Sequence, residues 1–283
     1  TRLQGCLAQT LDDDFGADTG GIARSLATGE TLTNGTYAAR DHRTIDLASC
    51  QVSGTVDSKL RNPSAPEDAA VRGFCPIAAI GGPLDGLVNI AGVPGSMPVD
   101  MVIKVNYLAL RRLTDALLPR IADHGAVVNV ASTAGANWRA RADLVRSLIA
   151  VDGWEAGLTH FLGLGFTAVQ AYDVSKEAVI LYSMLVSSRE RHRGIRVNTV
   201  SPGAVQTPLL ATFYDTMGAD LLTRLRTQAG GRDARPEEIA GPVAFLLSRD
   251  AQWVNGVDLI ADGGAEVSLT LEGLASPAKT LAF

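Results

Sequence analysis

The stretch YDVSKEAVILYSMLVSSRERHRGIRVNTVSPG, residues 172–203, decides the fold class. Residues 172–190 predict a helix, and the cluster Arg189, Arg191, His192, Arg193 and Arg196 suits its negative C-terminal end as a solvated helix end. Arg196–Val200 then reads as a short apolar strand, closed by the turn Ser201-Pro202-Gly203. The same alternation continues on both sides. Upstream, Leu87–Ile90 is a buried-strand candidate ending in Ala91-Gly92. Residues 98–121 place Met101, Val105, Leu108, Arg112, Leu113 and Leu117 at helical spacing, and Ala126–Ala131 is a second strand. Downstream, a helix fits 236–248, with Pro236 in its first turn and Glu237 and Glu238 behind, and Val257–Ala261 is the last strand. Strands separated by helices need crossover connections, so the class is α/β: a parallel sheet with helices on both faces.

A parallel sheet places ligands beyond the carboxyl ends of its strands. Small or polar residues follow each strand here: Ala91-Gly92, Ser132, Pro202-Gly203 and then Thr207. The chain has only four lysines against 21 arginines, and one of the four, Lys176, stands four residues after Tyr172. Residues four apart share a helix face, so phenol and ammonium can enter one pocket. A nearby ammonium favours phenolate and lowers a tyrosine pKa toward working pH, as a general acid/base requires.

These residues, over about 81–266, resemble the short-chain dehydrogenase/reductase family. Asn89-Ile90-Ala91-Gly92 is similar to its Asn-Asn-Ala-Gly element, with Ile in place of the second Asn. Val105-Asn106 matches the position of its helical Asn, and 127–132 (VVNVAS) its serine-bearing strand. Tyr172 and Lys176 match its active pair, Ser175 precedes the Lys as is often seen, and 201–208 (SPGAVQTP) matches its Pro-Gly loop. The helix start at 236–240, Val254-Asn255-Gly256 and Asp262-Gly263-Gly264 follow in the family's order. The resemblance implies a single Rossmann-type doubly wound domain over 1–283 that binds NAD or NADP and interconverts an alcohol and a ketone. It implies that Ser132 holds the substrate oxygen and that Tyr172 exchanges the hydroxyl proton. Lys176 would lower the Tyr172 pKa and hold the nicotinamide ribose, and Asn106 would anchor a water leading to Lys176. Asn89, Ala91, Gly92, Pro202, Gly203 and Thr207 would line the cofactor. The nicotinamide supplies the hydride chemistry, and the protein supplies position and proton transfer.

Two departures matter. Ser132 and Tyr172 are 40 residues apart, far more than in most of the family. The surplus, 133–171, carries an amphipathic stretch (Trp138, Leu144, Val145, Leu148, Ile149) and a Gly-rich apolar run from Phe161 to Phe166, beside the expected substrate pocket. With the tail beyond Gly264, it resembles the bacterial 3α-hydroxysteroid dehydrogenase/carbonyl reductase subgroup, which implies a steroid-like or other bulky carbonyl substrate. The second departure is the amino-terminal third, residues 1–80, a divergent cofactor half. The family's glycine-rich phosphate loop, where helix N-terminal donors hold a pyrophosphate, has its nearest match at Gly16, Gly20 and Ile22. Three consecutive aspartates, Asp12 to Asp14, precede it where an apolar strand is expected. For the adenosine end, Thr36–Asp41 offers both Arg40 and Asp41, so NAD and NADP stay open, with NAD favoured by the subgroup. Ile45-Asp46-Leu47 resembles the Asp-Leu pair that meets the adenine. This third is read as a divergent working half, as a sequence altered upstream, or as the mark of a non-catalytic nucleotide-binding or scaffold protein.

Composition narrows the remaining classes. A net charge of −5 with 46% apolar residues excludes wholesale disorder and disfavours nucleic acid as the main partner. Cys6, Cys50 and Cys75 have no pairing or zinc spacing, and His42, His124, His160 and His192 lie far apart, so no metal is expected. No apolar run reaches the ~18 residues of a membrane span. A cytoplasmic protein acting on a small molecule is the expectation, and the family resemblance implies a homodimer.

Overall fold

A computed structural model describes residues 83–275 and four strand segments before them: β1 (Gly5–Ala8), β2 (Thr36–Ala38), β3 (Thr44–Asp46) and β4 (Gln51–Val52). Strands β5 (Leu84–Asn89), β6 (Ile121–Val130), β7 (Arg196–Pro202) and β8 (Asp258–Ala261) follow. They form one five-stranded parallel sheet in the order β1-β5-β6-β7-β8. The expected α/β sheet is therefore present, and the main strands fall where the apolar runs placed them.

The helices are α1 (Val99–Ile103), α2 (Leu110–Leu117), α3 (Ala142–Ala150), α4 (Trp154–Leu162), α5 (Ala168–Arg189), α6 (Leu209–Met217), α7 (Ala219–Gln228), α8 (Pro236–Leu247) and α9 (Ala265–Ala275). Adjacent strand residues face opposite sides, which splits the core into two layers. Leu87, Val127 and Val197 pack with Leu113, Leu117, Val179 and Val186 under α2 and α5. Val88, Val128 and Val200 pack with Ile239, Val243 and Leu246 of α8 on the other face. Burying one Val or Leu side chain contributes about 1.5–3 kcal/mol, so these two apolar layers hold the helices to the sheet.

Local chemistry explains the element ends. Thr167 and Gln170 cap α5 reciprocally, Thr167 N donating to Gln170 Oε1 at 2.9 Å and Gln170 N to Thr167 Oγ1 at 3.3 Å. That cap starts α5 four residues before the predicted 172. Pro236 opens α8 as expected. Strand β6 begins five residues before the predicted Ala126, because Ala122 to Gly125 form a bulge rather than a turn. The ladder passes from Leu84↔Ile121 to Gly86↔Ala126, and His124 takes φ 65°.

Two further expectations need correction. Residues 98–121 are not one regular helix: a π-helical stretch, Lys104–Ala109, joins α1 to α2 and carries Asn106 and Tyr107 inward. The buried face upstream is Val102 and Ile103, while Met101 and Val105 pack only partly. In addition, β2, β3 and β4 do not extend the parallel sheet. They form a separate antiparallel sheet in which Thr36 pairs with Asp46 and Ile45 with Val52. The connection 39–43 between β2 and β3 is too short for a parallel crossover, which takes a dozen or more residues. Gly16, Gly20, Ile22, Asp41 and Leu47 lie outside the described residues, as does the side chain of Asp46. Among the described residues, no helix is long and apolar enough to cross a membrane, and no group of His, Cys, Asp or Glu could hold a metal.

Candidate active site at the carboxyl edge of the sheet

Three chain segments meet beyond the ends of β5 and β6. The first is the loop after β5. Asn106, buried on the π-helical stretch, accepts from Val93 N at 2.8 Å through Oδ1 and donates to Val93 O at 3.1 Å through Nδ2. The same Nδ2 donates to Ser175 Oγ at 3.2 Å. Ser175 Oγ in turn donates to Tyr172 O at 2.7 Å. A wide turn is a frequent device at functional sites, and here it turns a polar side chain out of the helix's own register to hold a loop. The side chain thus works as a bracket between the β5 loop and α5, with one Oδ1 lone pair left over.

The second segment is α5, where Tyr172 and Lys176 are both buried. The Lys176 ammonium stands 5.7 Å from the Tyr172 ring centroid and donates to Val130 O at 3.5 Å. Gly92 is what lets it stand there: a Cβ on Gly92 would lie 3.3 Å from Lys176 Nζ and 3.5 Å from Asn106 Oδ1. Burial pushes the Lys176 ammonium down to about 8. Burial likewise pushes the Tyr172 phenol up to about 12, opposed by its hydrogen bond with Ser132. This corrects one expectation. In the chain alone desolvation outweighs every other influence on Tyr172, and the group that lowers its pKa is Ser132 rather than Lys176.

Ser132 begins the third segment. It follows β6, caps the 3₁₀ segment Thr133–Arg139 by accepting from Ala134 N at 3.2 Å, and stands near enough to the Tyr172 hydroxyl to lower its pKa. The capping role and the influence on Tyr172 coexist in one side chain. Beside this group, Phe213 of α6 packs on the Tyr172 ring, with centroids 5.4 Å apart and planes at 60°.

The structure thus brings Ser132, Tyr172, Lys176, Asn106 and Gly92 together, with Ala91 half-buried in the same loop. Gly203 and Pro202 end β7 next to β8, Gly203 N donating to Ala261 O at 3.2 Å. Thr207 borders an open trough of about 620 Å³ between α6 and α7, lined also by Leu210, Tyr214, Arg226 and Asp233. None of Ser132, Tyr172, Lys176 and Asn106 lines that trough, so its size alone does not mark the chemistry. The Asn89 side chain is bonded within the fold through its amide nitrogen, while its Oδ1 has no hydrogen-bond partner. The residue is buried and donates to Thr114 Oγ1 at 2.9 Å and to Asn129 Oδ1 at 2.7 Å. Asn129 continues the chain to Ser183 Oγ at 2.8 Å. Sequence reasoning passed over Thr114, Asn129 and Ser183. The available signal was polar residues at positions whose neighbours are apolar and core-facing.

Segment 133–171 folds against α5 and α2. Helix α3 buries Val145, Leu148 and Ile149 as its amphipathic pattern predicts, and Phe161 meets Phe166 with centroids 5.3 Å apart. Arg111 satisfies the carboxyl end of α3, donating to Ile149 O at 3.1 Å and Val151 O at 2.7 Å.

A parallel α/β sheet whose carboxyl edge gathers a hydroxyl, a phenol, an ammonium and a close-approach glycine is equipped for proton transfer at an alcohol or carbonyl oxygen, the chemistry of an oxidoreductase. The comparisons with known proteins agree. A family model described as enoyl-(acyl carrier protein) reductase matches residues 159–266. Coniferyl-alcohol dehydrogenase of Pseudomonas sp. (strain HR199 / DSM 7063) is 38% identical over 186 residues, 64% of this chain and 71% of that relative. The 3-alpha-hydroxysteroid dehydrogenase/carbonyl reductase of Comamonas testosteroni is 32% identical over 192 residues, 65% of this chain and 73% of the relative. Among solved structures, the 3-alpha-hydroxysteroid dehydrogenase from Pseudomonas sp. B-0831, complexed with NADH, superposes with a TM-score of 0.63 at 31% identity. That match covers 78% of this chain and 86% of the other. The chain belongs to the short-chain dehydrogenase/reductase family. It is an oxidoreductase that acts on CH–OH groups.

Proposed function

We propose that this protein interconverts a secondary alcohol and a ketone on a bulky, steroid-like or otherwise extended carbonyl compound, using NAD or NADP. The observation that carries this reading is the gathering of Ser132, Tyr172 and Lys176 at the carboxyl edge of the sheet, with Tyr172 and Lys176 buried and the Lys176 ammonium 5.7 Å from the Tyr172 ring centroid. The missing Cβ at Gly92 makes room for the Lys176 ammonium at this edge, beside which the nicotinamide half of the cofactor would lie. Ala91, Gly92, Pro202, Gly203 and Thr207 would hold that half, and residues 1–80 would supply the adenosine half through Gly16, Gly20, Ile22, Asp41, Asp46 and Leu47. When bound, the nicotinamide supplies or accepts the hydride.

The residues of the chain do the rest. Ser132 donates to the substrate oxygen and fixes its distance from Tyr172. Tyr172 gives its hydroxyl proton to that oxygen in reduction and takes it back in oxidation. The Lys176 ammonium would reach the nicotinamide ribose, while the Ser132 hydroxyl opposes the burial that raises the phenol pKa. Asn106 keeps the β5 loop and α5 in register, and its free Oδ1 lone pair holds a water on the way to Lys176. Phe213 and segment 133–171 provide apolar walls that suit a bulky substrate. A cytoplasmic homodimer of one domain per chain completes the reading.

The test is fluorescence titration of the purified protein with NADH and with NADPH, followed by turnover assays with a 3α-hydroxysteroid and with coniferyl alcohol. Saturable binding and turnover of either alcohol support the proposal, and the preferred nucleotide fixes the cofactor. Binding without turnover of any bulky alcohol overturns the substrate class. No binding of either nucleotide overturns the enzyme reading in favour of a scaffold.

A further inference from the structure

The segment that Ser132 opens lies directly on the backbone of α5. Gly135 is buried there, and a Cβ on it would stand 3.1 Å from the carbonyl carbon of Lys176, 3.2 Å from Glu177 N and 2.9 Å from Ile180 Cδ1. Two residues past that segment's end, Arg141 donates from Nε at 3.0 Å and from Nη2 at 2.5 Å to a single oxygen, Oε1 of Glu177. Glu177 follows Lys176 directly and is wholly buried, and its other oxygen, Oε2, has no hydrogen-bond partner. A buried carboxylate in mid-helix is costly to keep, and a core helix has no need of one. Arg141 also has local work, since Arg141 N donates to Asn137 O at 3.2 Å and its own carbonyl accepts from Val145 N at 3.0 Å. It is therefore fixed at the junction of the Ser132 segment and α3.

We infer that Arg141 and Glu177 form a positioning pair that clamps the Ser132 segment onto α5 and thereby sets the reach between the Ser132 and Tyr172 hydroxyls. Gly135 provides the contact and the ion pair provides the lock. The two points fall on one turn of α5, one at the Lys176–Glu177 peptide and the other at the Glu177 side chain. The long segment 133–171 then does more than wall a pocket: its first helix begins at the residue that holds the reacting groups in register. The inference rests on the proposed alcohol–ketone reaction only for its kinetic readout.

The experiment compares wild type with Arg141→Met, Arg141→Lys and Glu177→Gln. It measures kcat, KM for the alcohol, NADH affinity, the pH profile of kcat, and amide hydrogen exchange. Misplacing a reacting group by a fraction of an ångström is expected to lower kcat of Arg141→Met by about tenfold to a hundredfold. KM and NADH affinity should stay within about twofold. The pH at which oxidation becomes half-maximal should move upward, because the Ser132 hydrogen bond that lowers the Tyr172 pKa is weakened. Arg141→Lys, which keeps the charge and loses the fork, should recover part of kcat. Exchange should quicken about tenfold across 132–141 and stay unchanged across 121–130. Should Arg141→Met not fold, Glu177→Gln, a neutral isostere, should give the same directions with smaller amplitude.

A loss of thermal stability with kcat, pH profile and local exchange unchanged would overturn the clamp and leave a merely structural ion pair. If wild type turns over no alcohol, the proposed function fails by itself. The exchange comparison then still decides the clamp: quickening confined to 132–141 supports it, and uniform or absent change refutes it.

Discussion

Gly92 and Lys176 stand so close that a Cβ on Gly92 would lie 3.3 Å from the ammonium nitrogen, tighter than an ordinary van der Waals contact. The neighbour that must yield is the free end of a flexible chain, so the fold should tolerate Gly92→Ala. The position of the ammonium should not. Gly92→Ala is expected to lower kcat about tenfold with a melting temperature close to wild type. Steady-state kinetics beside a thermal melt checks this, and unchanged kcat would mean that the Lys176 position is immaterial.

Tyr172→Phe removes one oxygen from a buried site and leaves the ring stacked on Phe213. General acid/base groups contribute about 10²–10⁴-fold, so turnover should fall by at least that range. Nucleotide affinity, read by fluorescence titration, should hold. A variant with near-normal rates would remove Tyr172 from the proton-transfer role.

Lys176 carries a pH signature in stability. Burial pushes its pKa down to about 8, from an ordinary 10.5. Below about pH 8 it is charged in folded and unfolded chains alike, and the folded protein bears the whole cost of the buried charge. Between about 8 and 10.5 the unfolded chain binds more protons than the folded one, so the cost is relieved and stability from this group rises with pH. Lys176→Met should thus exceed wild type in stability at pH 7 by a few kcal/mol at most, at roughly 1.4 kcal/mol per pKa unit. The gap should shrink by pH 9.5, as urea unfolding at both pH values will show. A gap independent of pH would mean that Lys176 is not desolvated.

Asn89→Ala tests the buried chain Asn89–Asn129–Ser183. It leaves Thr114 Oγ1 and Asn129 Oδ1 without their donor, which should cost about 1–3 kcal/mol. Nucleotide affinity should remain at the wild-type value if the side chain serves only the sheet. Weakened binding at unchanged stability would restore Asn89 to the cofactor-facing edge.

How much of this was legible in the sequence depended on whether the signal was local. The Tyr172/Lys176 pair needed only a helix and a spacing of four, and the strands at 126–131 and 196–200 needed only apolar runs between turn residues. The bulge at 122–125 was illegible because Asp123, His124 and Gly125 have the composition of a turn, while their pairing is decided by β5. The π-helical stretch was illegible because the side chain that rewards it, Asn106, bonds Val93 and Ser175, both distant in sequence. Asn89 matched a family motif in type and place, but its role depends on Thr114 and Asn129 across the layer. The antiparallel pairing of Thr36–Ala38 with Thr44–Asp46 could have been foreseen, since the link 39–43 is too short for a crossover. The Tyr172 pKa was misjudged because spacing reports proximity and says nothing of desolvation, which is a property of the whole surrounding fold.

The stretch Lys104–Ala109 has a consequence for how this site can be lost. Its wide turns hold one residue more than a regular helix would need over the same rise. Deleting a single residue there would heal the helix into a uniform rod, with α1 and α2 fused and their apolar sides still serviceable. The Asn106 amide would swing off Val93 and Ser175, and the β5 loop would lose its tether to α5. This is therefore a place where one codon's loss can retire the chemistry and spare the scaffold, a route from enzyme to inert relative that no substitution at Tyr172 or Lys176 would reveal.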